Sequence, residues 1–289
     1  MPNAVEPPSE SPTRLDEAYA LLADASGAPW RPLAGGTDLM VQMTGEIGEP
    51  PERILDIWGL DELRGIALED GAVAIGALTT YTEIRQSPLL AEHLPALIDA
   101  AATIGAAQIQ NRGTIGGNVI NASPAGDTLP VLLAVGAEMV LGSASGERTV
   151  PAEGFWPAYR TTARRDNELL LRIRIPLVSD REVRFRKIGT RRAQAISKVV
   201  MALAWRSHGD GEWTNVRLAL GSVAATTVRA RAAESALEGA TPTKEVADAT
   251  VAALASELRP IDDVRSTADY RQLVAGRVLH RIIRDAAGW

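Results

Sequence analysis

In the second half of this 289-residue chain, three strand-like runs precede three helical ones, and that order constrains the fold more than any single residue does. VRFRKIG, AISKVVMALAW and NVRLALGSV read as strands, the last two joined through His208-Gly209-Asp210-Gly211 as a hairpin. TTVRARAAESALEG, KEVADATVAALASEL and TADYRQLVAGRVLHRIIRDA follow at helical spacing. Strands segregated from helices indicate an α+β unit rather than an alternating βαβ fold. The arginines at Arg184, Arg186, Arg191 and Arg192 then read as a solvated strand edge.

The first half is less regular. A capped helix is expected from Thr13, with Leu15, Ala18, Tyr19 and Leu22 on one face and Gly27 as its stop. WRPLAGGTDLMVQMTG reads as strand, turn and helix. RILDI is a strand, and LRGIALEDGAVAIGA is a hairpin about Asp70-Gly71. A helix is expected over 89–104, a long polar loop over QIQNRGTIGGNVINASPAGDTLP, a helix from Leu129 to Val135, and a strand in ELLLRIRIPL ending at Pro176. LVSDREV is a connector, placing a domain boundary near 177–183. The leading MPNAVEPPSESPT reads as a frayed, Pro-rich tail.

Composition removes whole classes of chemistry. With no cysteine, the chain holds no disulfide, thiolate zinc site, nucleophilic thiol or cysteine-bound iron–sulfur cluster. Its three histidines, His93, His208 and His280, lack metal-ligand spacing, so no metal site is expected. A net charge of −6 argues against a nucleic-acid footprint. The tail lacks a secretory pattern, and the longest apolar stretch, 131–141, is far short of the roughly 18–20 residues that span a bilayer, so the expectation is a cytoplasmic protein with no membrane span.

Two glycine-rich segments remain, AGGTDL from Ala34 and TIGGNVINASPAGD from Thr114. A Gly-Gly pair lets backbone approach a ligand closely and lets consecutive N–H groups converge on an anion. Neither is a dinucleotide fingerprint of the G-x-G-x-x-G type or a P-loop. Each alone is explained by a chain reversal, Asp127 by capping of the helix that follows, and Asn118 by a left-handed turn.

Taken together, AGGTDL, QIQNRGTIGGNVINASPAGDTLP, ELLLRIRIPL, FRKIGTRRAQAISKV, GSVAATTVRA and DDVRSTADYRQLVAGRVLHR occur in an order that resembles the flavin-bearing middle subunit of the molybdenum hydroxylases, the group of bacterial xanthine, carbon monoxide, aldehyde and N-heterocycle dehydrogenases. The resemblance covers nearly the whole chain. It implies an FAD-binding domain of the vanillyl-alcohol-oxidase type over 1–178, in subdomains of about 1–57 and 58–178. A smaller α+β domain with a three-stranded antiparallel sheet would follow over 184–289.

By the same resemblance, Pro32, Leu33, Ala34, Gly35, Gly36, Thr37, Asp38 and Leu39 would wrap the FAD pyrophosphate together with Thr114, Ile115, Gly116, Gly117 and Asn118, using backbone N–H groups. Ser123 and Asp127 would meet the polar part of the cofactor, and Leu170 the flavin edge. Ile104 and Ile196 would pack on the ring, and Asp38 would lie near it or cap the next helix. Lys187 is one of only three lysines, with Lys198 and Lys244, and a compact ammonium suits an anionic reduced flavin.

The chain departs from some relatives in carrying Gln110 where they have arginine and Ile104 where they have an aromatic. With no histidine near either turn, FAD is expected to be non-covalent. The resemblance implies electron transfer to NAD+, oxygen or a quinone. No catalytic residue would sit in this chain, because molybdopterin would sit on a large subunit and [2Fe-2S] clusters on a small one, in a dimer of heterotrimers. GTRRAQAIS leans toward purine or N-heterocycle members. A self-contained flavin oxidase and a non-enzymatic FAD-binding assembly protein are the competing readings.

Overall fold

The computed structural model describes residues 7–43, 50–191, 194–209 and 211–289. Arg192 and Asp210, named above for the arginine cluster and the hairpin, lie outside them, as does the start of the N-terminal tail.

Three sheets organise the described residues. The first is parallel and small: β3 (Ile54–Asp56) lies between β1 (Ser9–Glu10) and β2 (Arg31–Leu33). Helix α1 (Leu15–Ala23) buries Ala18 and Leu22 beside it, and α2 (Leu39–Met43) follows the first glycine turn. The expected Thr13 cap is displaced: Arg14 is the N-cap and makes no side-chain cap bond, while the Thr13 N–H donates to Glu17.

The second sheet is antiparallel, ordered β4 (Ile66–Glu69), β5 (Ala72–Gly76), β8 (Leu169–Pro176), β6 (Glu138–Ser143), β7 (Gly146–Pro151). Asp70 and Gly71 both take positive φ between β4 and β5, as a two-residue hairpin turn requires. The β6–β7 hairpin was not anticipated, because its first strand continues an apolar run out of a helix and periodicity cannot separate the two.

Helices α3 (Tyr81–Gln86), α4 (Pro88–His93), α5 (Pro95–Ala102), α6 (Ala107–Gln110), α7 (Ile115–Asn121) and α8 (Leu129–Ala134) fill the space between β5 and β6 along the chain. The helix expected over 89–104 is broken at Leu94, whose backbone (φ −151°, ψ 61°) leaves the helical region because Pro95 follows and clashes with a helical predecessor. The expected long loop likewise contains α6 and α7. Thr114 caps α7 by accepting from the Gly117 N–H, and Ala122 ends it in the left-handed region.

The third sheet runs β12 (Val228–Arg229), β11 (Trp213–Gly221), β10 (Val199–Ser207), β9 (Arg181–Ile188), with α9 (Arg231–Leu237), α10 (Lys244–Glu257) and α11 (Ala268–Ala287) behind it. It has four strands rather than three, because Val228 and Arg229, in a segment read as helical, pair with β11. β9 is an edge strand that exposes Arg184 and Arg186, and it starts at Arg181, inside the expected connector.

Strand β10 decides how the halves meet. Val200, Ala202 and Ala204 belong to the core that includes α5, α8 and the second sheet, while Val199, Met201, Leu203 and Trp205 face α9, α10 and α11. A strand apolar on both faces carries two cores at once.

Candidate cofactor site

The first glycine turn leaves β2 and meets the segment before α7 at very short range. A Cβ on Gly35 would lie inside the carbonyl of Arg112, and Gly36 has φ of +78°, so both positions require glycine. Gly116 packs on Ala77 with no room for a Cβ, whereas Gly117 would meet only the Thr114 hydroxyl.

The two segments differ in what their N–H groups have left to give. The N–H groups of Ile115, Gly116, Gly117 and Asn118 already donate to Thr79, Ala77, the Thr114 hydroxyl and the Thr114 carbonyl. Those from Ala34 to Leu39 donate to nothing among the described residues. Of the second segment only the Thr114 N–H is left without a partner among the described residues; the other four are spent on forming and docking α7, so that segment contributes chiefly close packing and side chains.

A cavity of about 1000 Å³ opens beside this turn. Pro32, Leu33, Ala34, Gly35, Gly36, Thr37, Asp38 and Leu39 form one wall. Thr114, Gly116, Gly117, Asn118, Ser123 and Asp127 form a second. Ile104, Leu170, Lys187 and Ile196 complete the residues singled out from sequence. Ile115 is the exception: its side chain is fully buried in the core on the far side of α7.

Asp127 and Lys187 form a buried pair. Lys187 Nζ donates to Asp127 Oδ2 at 2.5 Å and to the Thr103 carbonyl at 3.1 Å, with the two side chains only 7% and 8% exposed. Burial raises the Asp127 carboxyl to about 6 against the opposing pull of Lys187. Asp127 Oδ1 has no partner. Capping does not explain this residue, since Thr128 is the N-cap of α8.

Asp38 likewise bonds across the cavity: Asn121 Nδ2 donates to it at 3.2 Å, and Arg160 donates to Asn121 Oδ1 at 2.9 Å. Asn118 is oriented by the Thr128 hydroxyl, which donates to its Oδ1 at 2.6 Å.

These residues fit a dinucleotide. Six unspent N–H groups suit a pyrophosphate. The orphaned Asp127 oxygen suits the hydroxyl-bearing part, and apolar walls such as Leu33, Ile57 and Leu169 suit its rings. No histidine lines the cavity to tether a flavin.

Comparison with known proteins bears on the same region. The family model described as the FAD binding domain in molybdopterin dehydrogenase matches residues 6–178. The chain belongs to this family of FAD-binding subunits. The model for the CO dehydrogenase flavoprotein C-terminal domain matches residues 184–286. The carbon monoxide dehydrogenase medium chain of Hydrogenophaga pseudoflava is 34% identical, covering 96% of this chain and 95% of its own. The xanthine dehydrogenase FAD-binding subunit of Escherichia coli O157:H7 is 31% identical over 94% and 93%.

Solved structures agree in fold. Carbon monoxide dehydrogenase from Hydrogenophaga pseudoflava superposes with a TM-score of 0.90 at 36% identity, covering 95% of each chain. Quinoline 2-oxidoreductase from Pseudomonas putida gives 0.90 at 26% identity over 98% of each.

This FAD-binding subunit is thus an oxidoreductase component with an α+β fold. Among the described residues no helix is long and apolar enough to cross a membrane, and no acidic or histidine cluster could hold a metal ion.

Several wall residues escaped sequence reasoning. Tyr81, Asn121, Arg160, Ser197, Ser222, Asp263 and Arg271 all line the cavity. Asn121, Ser197, Ser222, Asp263 and Arg271 carried a signal, since each lies within one of the six segments that carry the resemblance, whereas Tyr81 and Arg160 lie outside them.

Proposed function

We propose that this chain is the electron-transfer subunit of a three-subunit molybdenum hydroxylase, with FAD held between a pyrophosphate cradle at Ala34–Leu39 and the Asp127–Lys187 pair. The carrying observation is the convergence of those two features on one cavity. Bound FAD supplies the redox chemistry, accepting electrons from a donor and passing them to NAD+, oxygen or a quinone. The protein holds the cofactor, shields it with apolar walls, and presents a cation beside it at Lys187.

In this reading the [2Fe-2S] clusters reside on a small partner and molybdopterin on a large one, because this chain has no cysteine to ligate iron. The trimers pair into a dimer of heterotrimers. Substrate choice belongs to the large partner, which accords with relatives named for carbon monoxide, glyceraldehyde, xanthine, nicotinate and caffeine at 30–34% identity. The lean toward a purine or N-heterocycle rests on GTRRAQAIS alone.

Purification of the chain with and without its co-expressed partners tests the reading. The expected result is one bound FAD in the chain alone, and substrate oxidation only in the complex, assayed with xanthine, nicotinate and carbon monoxide. Turnover by the isolated chain, or a complex whose FAD is not reduced by substrate, would refute it.

A further inference from the structure

The C-terminal wall of the cavity rests on one arginine. Arg271, in the first turn of α11, is 4% exposed, yet it lines the cavity. Its Nη1 donates to two carbonyls, those of Lys198 at 3.0 Å and Ser222 at 2.9 Å. Lys198 stands just before β10, and Ser222 just after β11. One nitrogen therefore ties together the ends of two neighbouring strands at the point where both reach the cavity.

The guanidinium is aimed from its other side. Nη2 donates to Asp263 Oδ1 at 2.7 Å, and the backbone N–H groups of Arg265 and Ser266 donate to the same oxygen at 2.9 and 3.0 Å. A planar fork spanning a carboxylate and two carbonyls fixes all three in one plane, which a lysine ammonium cannot do.

What it holds in place is the wall that carries Ile196, Ser197 and Ser222. The hydroxyls of Ser197 and Ser222 lie 2.9 Å apart, and Ser222 Oγ also donates to the Ser197 carbonyl at 3.0 Å. Ser197 Oγ in turn donates to the Ala125 carbonyl at 3.2 Å, joining this wall to the loop that leads to Asp127. The arrangement carries a cost in lost hydration: Arg271 Nε is buried and has no partner. Such a penalty is expected where geometry, rather than stability, is what the residue provides.

We propose that Arg271, aimed by Asp263, is a positioning residue for the flavin half of the cofactor site. It acts through the carbonyls of Lys198 and Ser222. This rests on the family assignment of FAD and on placing the ring beside Lys187 and Ile196.

The test uses full-length wild type, Arg271→Lys, Asp263→Asn, and the surface control Arg284→Gln. FAD affinity, the visible flavin band and the flavin midpoint potential are measured, with circular dichroism and thermal midpoint in parallel. Both site variants should bind FAD about tenfold more weakly, because the wall that carries Ile196, Ser197 and Ser222 is no longer held in place. They should also shift the flavin band or the potential, while the control matches wild type. Lowered thermal midpoints with unchanged affinity, band and potential would show a purely structural arginine and overturn the proposal. If Arg271→Lys fails to fold, Asp263→Asn decides alone, since it keeps the side-chain shape and leaves one oxygen to accept while removing the charge that aims the fork. A wild-type chain that binds no FAD would instead refute the cofactor assignment.

Discussion

At the scale of residues, the Asp127 carboxyl is a cavity group whose ionisation the fold disturbs in a testable direction. It is raised from 3.8 to about 6, by burial first. Between those values the folded chain keeps a proton that the unfolded chain has released. The associated stability is therefore complete below about pH 4 and is lost as pH rises through about 6. The rise corresponds to about 3 kcal/mol. In urea titrations of the cofactor-free protein, the stability of wild type relative to Asp127→Asn should fall by about that amount between pH 4 and pH 7. Parallel profiles would show that Asp127 ionises freely. Saturating FAD should move the fall to lower pH, since a hydroxyl donating to Oδ1 favours the charged form.

At the scale of elements, α7 and the first glycine turn depend on each other. Thr114 caps the helix, its neighbour Gly113 accepts the Tyr81 N–H, and Gly35 abuts Arg112. Thr114→Ala should cost about 1 kcal/mol through the lost cap alone. Gly35→Ala should cost about 1–3 kcal/mol or more, because the clash is with rigid backbone and the two segments must separate. It should also release FAD, by displacing the N–H groups from Ala34 onward. By contrast, Gly117→Ala should leave folding nearly intact, since its added Cβ meets only a hydroxyl at 3.1 Å. Denaturant midpoints and FAD content of the three variants check this ordering. Equal losses in Gly35→Ala and Gly117→Ala would contradict the geometry.

At the scale of the whole molecule, the two matched family models meet within residues 178–184, yet the hydrophobic core does not stop there. Phe185, Val200, Ala202, Ala204 and Ala219 complete a core built mostly from the first half, and Lys187 crosses over to Asp127. A chain ending at residue 178 should therefore expose that apolar face, aggregate, and fail to retain FAD. A monodisperse, FAD-loaded 1–178 fragment would show that the first half is self-sufficient. The segregation of strands and helices, the glycine pairs and the missing cysteines were legible from residue order, because each follows from local pattern or side-chain chemistry. The break at Pro95 was also written there, in proline's effect on its predecessor. What the sequence could not show was which N–H groups remain unspent, why Ile115 turns inward while Asn118 faces the cavity, and how Arg271 reaches two strand ends 73 and 49 residues away. Those outcomes depend on partners distant in the chain. A hydrogen bond or a contact is decided by which atoms the tertiary fold brings within reach of a donor or a face, and those partners come together where β10 packs both of its sides and joins the halves.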